Sequence, residues 1–158
     1  MVVPIGGGKP FPAIVAPGNQ NVGRFSPDGK WIAYNSGESG SFEIYIQPFV
    51  EPGSSKGPGG RWQVSNAGGA NVVWRKDGRE IYYDSPEGNI MAALVEPEGS
   101  GLKIGAPRFL LKAGVDQNAV HTFDTLDGQK FVVQLPSAGN AGNQSLTVVA
   151  NWRSALRK

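Results

Sequence analysis

Apolar and aromatic residues along this chain come in short runs, each set off by glycine, proline, asparagine, aspartate or serine. That pattern predicts short strands joined by turns. The runs also repeat. An Asp-Gly pair recurs at Asp28-Gly29, Asp77-Gly78 and Asp127-Gly128, at intervals of 49 and 50 residues. An aromatic residue precedes each pair (Phe25, Trp74, Phe123), and a short apolar run follows it: Trp31-Ile32-Ala33-Tyr34, Ile81-Tyr82-Tyr83 and Phe131-Val132-Val133. Aspartate can bond back to the turn backbone and glycine can take a positive φ, so each pair predicts a tight turn between two antiparallel strands. The six residues are therefore assigned to turns rather than to catalysis or metal binding.

Further strand-like runs follow each hairpin, at residues 42–49, 89–95 and 145–152. In the first two repeats a fourth follows, at 61–65 and 107–111. A four-stranded unit of about 50 residues, repeated, predicts an all-β propeller whose blades have strands a to d, with a nearest the channel. The units run over residues 21–65, 71–112 and 120–152, the last without a d strand, while 9–16 reads as a d strand without a blade. The inventory is d-abcd-abcd-abc. Propellers have about 4 to 8 blades, so three per chain predict a six-bladed ring made of two copies. In that homodimer 9–16 of one subunit pairs with 145–152 of the other at two equivalent seams. The competing explanation is a piece of a longer propeller.

Composition sharpens this picture. The 158 residues include 23 glycines and 12 prolines, too turn-rich for a helical bundle, while four Trp, four Tyr and seven Phe supply an ordered core. There is no cysteine, which excludes disulfides, thiolate metal sites and a cysteine nucleophile. No apolar run approaches the roughly 18 residues of a membrane helix, and the amino terminus lacks a signal-peptide pattern. Fifteen basic and 13 acidic residues leave a charge of +2, scattered rather than patched, which argues against nucleic acid.

The first repeat, Gly23-Arg24-Phe25-Ser26-Pro27-Asp28-Gly29-Lys30-Trp31-Ile32-Ala33-Tyr34 followed by Gly40-Ser41-Phe42-Glu43-Ile44-Tyr45-Ile46-Gln47-Pro48-Phe49, resembles that of TolB-type, WD-repeat-like propellers. More narrowly, it resembles the propeller at the carboxyl end of membrane-anchored bacterial serine/threonine protein kinases. Gly60-Arg61-Trp62-Gln63-Val64-Ser65, the stretch from Trp74 to Tyr83, and Val148-Val149-Ala150-Asn151-Trp152 fit the same pattern. Two departures stand out: Ser-Pro-Asp-Gly is intact only in the first repeat, and this sequence contains no kinase domain or membrane helix. The resemblance implies a sensor or scaffold module, often outside the cytoplasm, with no catalytic residue to carry over and no cofactor.

Candidate chemistry is sparse. The single histidine, His121, has no Gly-x-Ser-x-Gly elbow to serve and reads as a polar residue near the channel mouth. Gly6-Gly7-Gly8-Lys9 fails as a phosphate loop, because Pro10 stands where Ser or Thr is required. Residues 51–60 read as a mobile connection, and Asn143-Gln144-Ser145 fits a glycosylation sequon. Ligands of a propeller are expected where loops 17–21, 66–71 and 114–121 meet loops 35–41, 84–88 and 136–144. These loops are rich in Asn, Gln, Ser and Gly, which suits hydrogen bonding to a protein, peptide or polar small molecule. The candidate ligand-binding residues are Asn21, Arg24, Asn71 and His121; asparagines that merely cap loops are the competing explanation. A non-catalytic binding module is the leading reading. A hydrolase or lyase at the channel mouth, or a purely structural fragment or engineered assembly unit, are the alternatives.

Overall fold

A computed structural model describes residues 1–54, 59–115, 119, 121–135 and 146–150. The third b-to-c loop at 136–144, the sequon at Asn143, and residues 151–158 lie outside the described residues.

All regular structure among the described residues is antiparallel β. The first sheet has β1 (Gln20–Phe25), β2 (Trp31–Ser36), β3 (Glu43–Pro48) and β4 (Trp62–Gln63), in that order. The second has β5 (Ala70–Trp74), β6 (Glu80–Asp84) and β7 (Asn89–Glu98), with β8 (Gly101–Ile104) and β9 (Arg108–Lys112) both paired to the long β7. The third has β10 (Phe123–Thr125), β11 (Lys130–Gln134) and β12 (Leu146–Ala150). No helix among the described residues is long and apolar enough to cross a membrane.

The first two strands of each sheet are joined at an Asp-Gly pair. Gly29, Gly78 and Gly128 take φ of 70°, 72° and 73°. The aspartate before each accepts backbone N–H bonds just after the turn: Asp28 from Lys30 (3.1 Å), Asp77 from Arg79 (3.0 Å) and Asp127 from Gln129 (2.8 Å). These bonds favour the carboxylate form, and all three aspartates are held below the ordinary carboxyl range. For Asp28 the largest cause is the Ser26 hydroxyl, for Asp77 the Arg75 guanidinium, and for Asp127 the Gln129 N–H.

The sheets pack face to face in series. Ala33, Ile44 and Ile46 of the first meet Val72, Ile81 and Tyr83 of the second, and Tyr82, Ile90 and Leu110 of the second meet Phe123, Phe131 and Val133 of the third. Strands buried on both faces explain the unbroken apolar runs in the sequence; each such Ile or Val contributes about 1.5–3 kcal/mol. Glu80 is buried between Arg75 and Arg108 and accepts the Tyr82 hydroxyl at 2.7 Å, so its charge is fully paired.

Residues 9–16, expected to be a strand, carry no ladder within the chain. Pro10 and Pro12 have no N–H to give, and the segment's one bridge joins Phe11 to Val2. Instead it lies over the free face of the first sheet, where Ala13 and Ile14 pack on the Ile32, Tyr34 and Tyr45 cluster. Gln47 donates to the Ala13 carbonyl at 3.1 Å, and Phe11 stacks on Phe49 at 6.2 Å.

Candidate binding site

The first strand of each sheet starts in the same unusual way. Val22, Asn71 and His121, separated by the repeat intervals of 49 and 50, are the non-glycine residues with positive φ among the described residues, at 48°, 31° and 59°. A left-handed β-branched valine is rare, and such strain persists only where the surroundings impose it. In the first two sheets the surroundings are a bulge: the register with the neighbouring strand shifts between Asn21 and Arg24, and again between Ala70 and Val72.

Around Asn71 the imposing groups are plain. Its side-chain amide donates to Asp84 Oδ2 at 2.9 Å and to the Ala119 carbonyl at 3.2 Å, while its Oδ1 accepts the His121 N–H at 2.8 Å. Thr122 donates its hydroxyl to the same Asp84 oxygen at 2.8 Å. Asp84 thus ties the end of β6 to the start of the third sheet. It is fully buried, its Oδ1 has no hydrogen-bond partner, and burial pushes its carboxyl above the ordinary range against the bonds from Asn71 and Thr122.

The backbone held this way presents His121 to Arg24. A guanidinium nitrogen of Arg24 faces His121 Nδ1, and because arginine cannot accept, the imidazole nitrogen is the acceptor in this contact. The Trp74 indole donates to the Arg24 carbonyl at 3.3 Å, which links β1 to β5. Arg24 and His121 border a cleft of about 470 Å³ that runs along the inner strands of all three sheets. Its walls repeat by position: Arg24, Val73 and Phe123 are counterparts, as are Phe25, Trp74 and Asp124. Among the described residues Asp124 is the one carboxylate lining it. His121 therefore faces a cation rather than a general base, and among the described residues no three His, Asp or Glu side chains cluster to hold a metal.

Of the four residues singled out from sequence, the structure brings Arg24, Asn71 and His121 together. Asn71 is buried with its side chain already occupied, so it positions His121 rather than offering a contact. Asn21 stands apart. Its N–H donates to Asn35 Oδ1 at 3.1 Å, and it borders a second cavity between β1 and the amino-terminal segment. Sequence reasoning missed Asp84 and the wall formed by Phe25, Trp74 and Phe123. Laying the repeats over one another holds the signal for both: Asp84 falls where Asn35 falls one repeat earlier, and an aromatic residue recurs three or four positions before each Asp-Gly pair.

No family model matches the chain, and no curated protein matches it. Among solved structures, TolB from Acinetobacter baumannii superposes with a TM-score of 0.54 at 18% identity, covering 84% of this chain. The fold is that of a TolB-like β-propeller. The chain spans 30% of the length of that TolB chain, and at this identity the likeness speaks for the fold alone. In a propeller the sheets are blades set around a central channel.

Proposed function

We propose that this chain is a non-catalytic binding module that engages a protein, peptide or polar small molecule at the inner-strand cleft. One observation carries the reading: Arg24, fixed by His121, stands beside an aromatic wall to which each of the three sheets contributes one ring, Phe25, Trp74 and Phe123. A few directed polar groups against apolar walls is the usual make-up of a binding pocket. The resemblance to the propellers of bacterial serine/threonine kinases makes a sensor or scaffold the natural setting, and TolB supports the same propeller class. The working unit in this proposal is a homodimer closing a six-bladed ring. In it 9–16 completes a blade of the partner, and the domain is a propeller half with blades at 21–65, 71–112 and 120–152.

A displayed peptide library selected on the immobilised chain tests the binding role. Enriched peptides should lose binding, at least about tenfold, to a folded Phe25→Ala/Trp74→Phe variant that strips the wall. Enrichment that is indifferent to this variant would place binding elsewhere and overturn the proposal.

A further inference from the structure

Resting on the reading of the cleft as a binding site, we infer that its ligand carries a carboxylate on an apolar body, and that Arg24 is the group that takes the carboxylate. Arg61, Arg75 and Arg108 each already hold a carboxylate of this chain. Among the described residues Arg24 has no such partner; its guanidinium meets the imidazole of His121. An imidazole nitrogen takes one of the five N–H donors and brings no negative charge, so it fixes the fork without neutralising it. The result is a half-buried, oriented cation whose remaining donors have no anion to meet.

The surroundings select the kind of anion. Among the described residues lining the cleft Arg24 is the only permanent cation, and Asp124 lines it too. A dianionic phosphate would face one positive and one negative group there, whereas a single carboxylate matches one planar fork through two parallel bonds. Beside the fork, half-exposed Phe25 offers apolar surface, backed by the edges of the buried Trp74 and Phe123 that line the cleft, and about 470 Å³ accommodates a body the size of an aromatic amino acid. The carboxylate can belong to a free organic acid or a peptide terminus, or to an acidic side chain.

Isothermal titration of the full chain separates these. The probes are N-acetylphenylalanine, its amide, N-acetylglutamate α-amide and inorganic phosphate. The acid should bind at least about tenfold more tightly than the amide, the difference should vanish in Arg24→Gln at an unchanged melting temperature, and phosphate should not compete. Tighter binding of the glutamate derivative than of N-acetylphenylalanine would assign the carboxylate to a side chain, and the reverse to a terminus or free acid. The inference is overturned if acid and amide bind alike, if Arg24→Gln changes nothing, if phosphate displaces the acid, or if no acid binds up to about 10 mM. Equal binding of acid and amide that is lost in Phe25→Ala would remove the carboxylate while leaving the cleft as a binding site.

Discussion

Three glycines with the same φ and the same preceding aspartate differ in what surrounds them. A Cβ at Gly29 would meet open space, so Gly29→Ala carries only the cost of a left-handed alanine, about 1 kcal/mol. At Gly128 the same Cβ would collide with the Tyr82 hydroxyl. That hydroxyl is bonded to Glu80, and its ring sits edge-on to Phe131 at 5.2 Å, so it has nowhere cheap to go. Gly128→Ala should therefore cost about 3 kcal/mol or more in chemical denaturation, well beyond Gly29→Ala. Equal costs would mean the turn conformation alone sets the requirement for glycine. Asp84 gives a prediction of a different kind. Its carboxyl is raised, so between the ordinary carboxyl value and the raised one the folded chain holds more proton than the unfolded chain. Its contribution to stability is thus present at low pH and lost as pH rises through the raised value. Asp84→Asn removes that loss, and its melting temperature relative to the parent should climb as pH goes from about 4 to about 7. Asp28, Asp77 and Asp127, whose lowered values act in the opposite direction, cancel in the comparison. A difference that falls with rising pH would contradict the assignment.

At the scale of elements, hairpins were legible because turn chemistry and apolar alternation are local, and both are written into each repeat. The outer strands were less so. The run at 61–65 shrinks to two paired residues, Trp62 and Gln63: the Val64 N–H still donates to the Ile44 carbonyl at 2.7 Å, but at Ser65 the side chain takes over, its hydroxyl accepting the Ile44 N–H at 2.8 Å and donating to buried Glu43. The sequence pattern predicts no strand between residues 95 and 107, yet β7 continues to Glu98 and turns back as β8 through Gly99, whose φ is 59°. The Gly-Ser pair at the turn was a readable hairpin signal. What could not be read locally is the reason the extension exists. Trp62 lies against Gly101, where a Cβ would have no room, and Leu102 is buried among residues of the first two sheets. The β7–β8 hairpin thus covers the rim where the first sheet's own outer strand is short. Leu102→Ala should cost about 2–4 kcal/mol in chemical denaturation. A cost below about 1 kcal/mol would show the hairpin to be an appendage rather than part of the core. The candidate site divides the same way. Arg24, Asn71 and His121 were visible as polar residues at strand starts, but the link from Asp84 through Asn71 to the His121 backbone joins positions 37 residues apart and exists only once the sheets are packed.

For the whole molecule the open question of architecture is what meets the free face of the first sheet. Ile32, Tyr34 and Tyr45 are almost wholly buried there, and among the described residues their cover is Ala13 and Ile14 of the amino-terminal segment, Phe49, and Arg61 over the Tyr45 ring, with no sheet of this chain packed on them. Phe25, beside the cleft, remains half exposed. A sheet in mid-ring has a neighbour on each face, and closing the ring leaves no such face or edge to water. If two copies close it, the segment at 9–16 gains the ladder it lacks alone: its non-proline N–H groups and its carbonyls become partners for β12 of the other chain. Light scattering at tens of micromolar should then give twice the 16.7 kDa mass of the chain. Deleting residues 1–16 removes the d strand from both seams, so the mass should fall to that of one chain, with antiparallel β structure retained by circular dichroism. The second arm discriminates between explanations. A dimer that survives the deletion would associate through another surface, and a parent that stays at one chain mass would rule out ring closure by two copies.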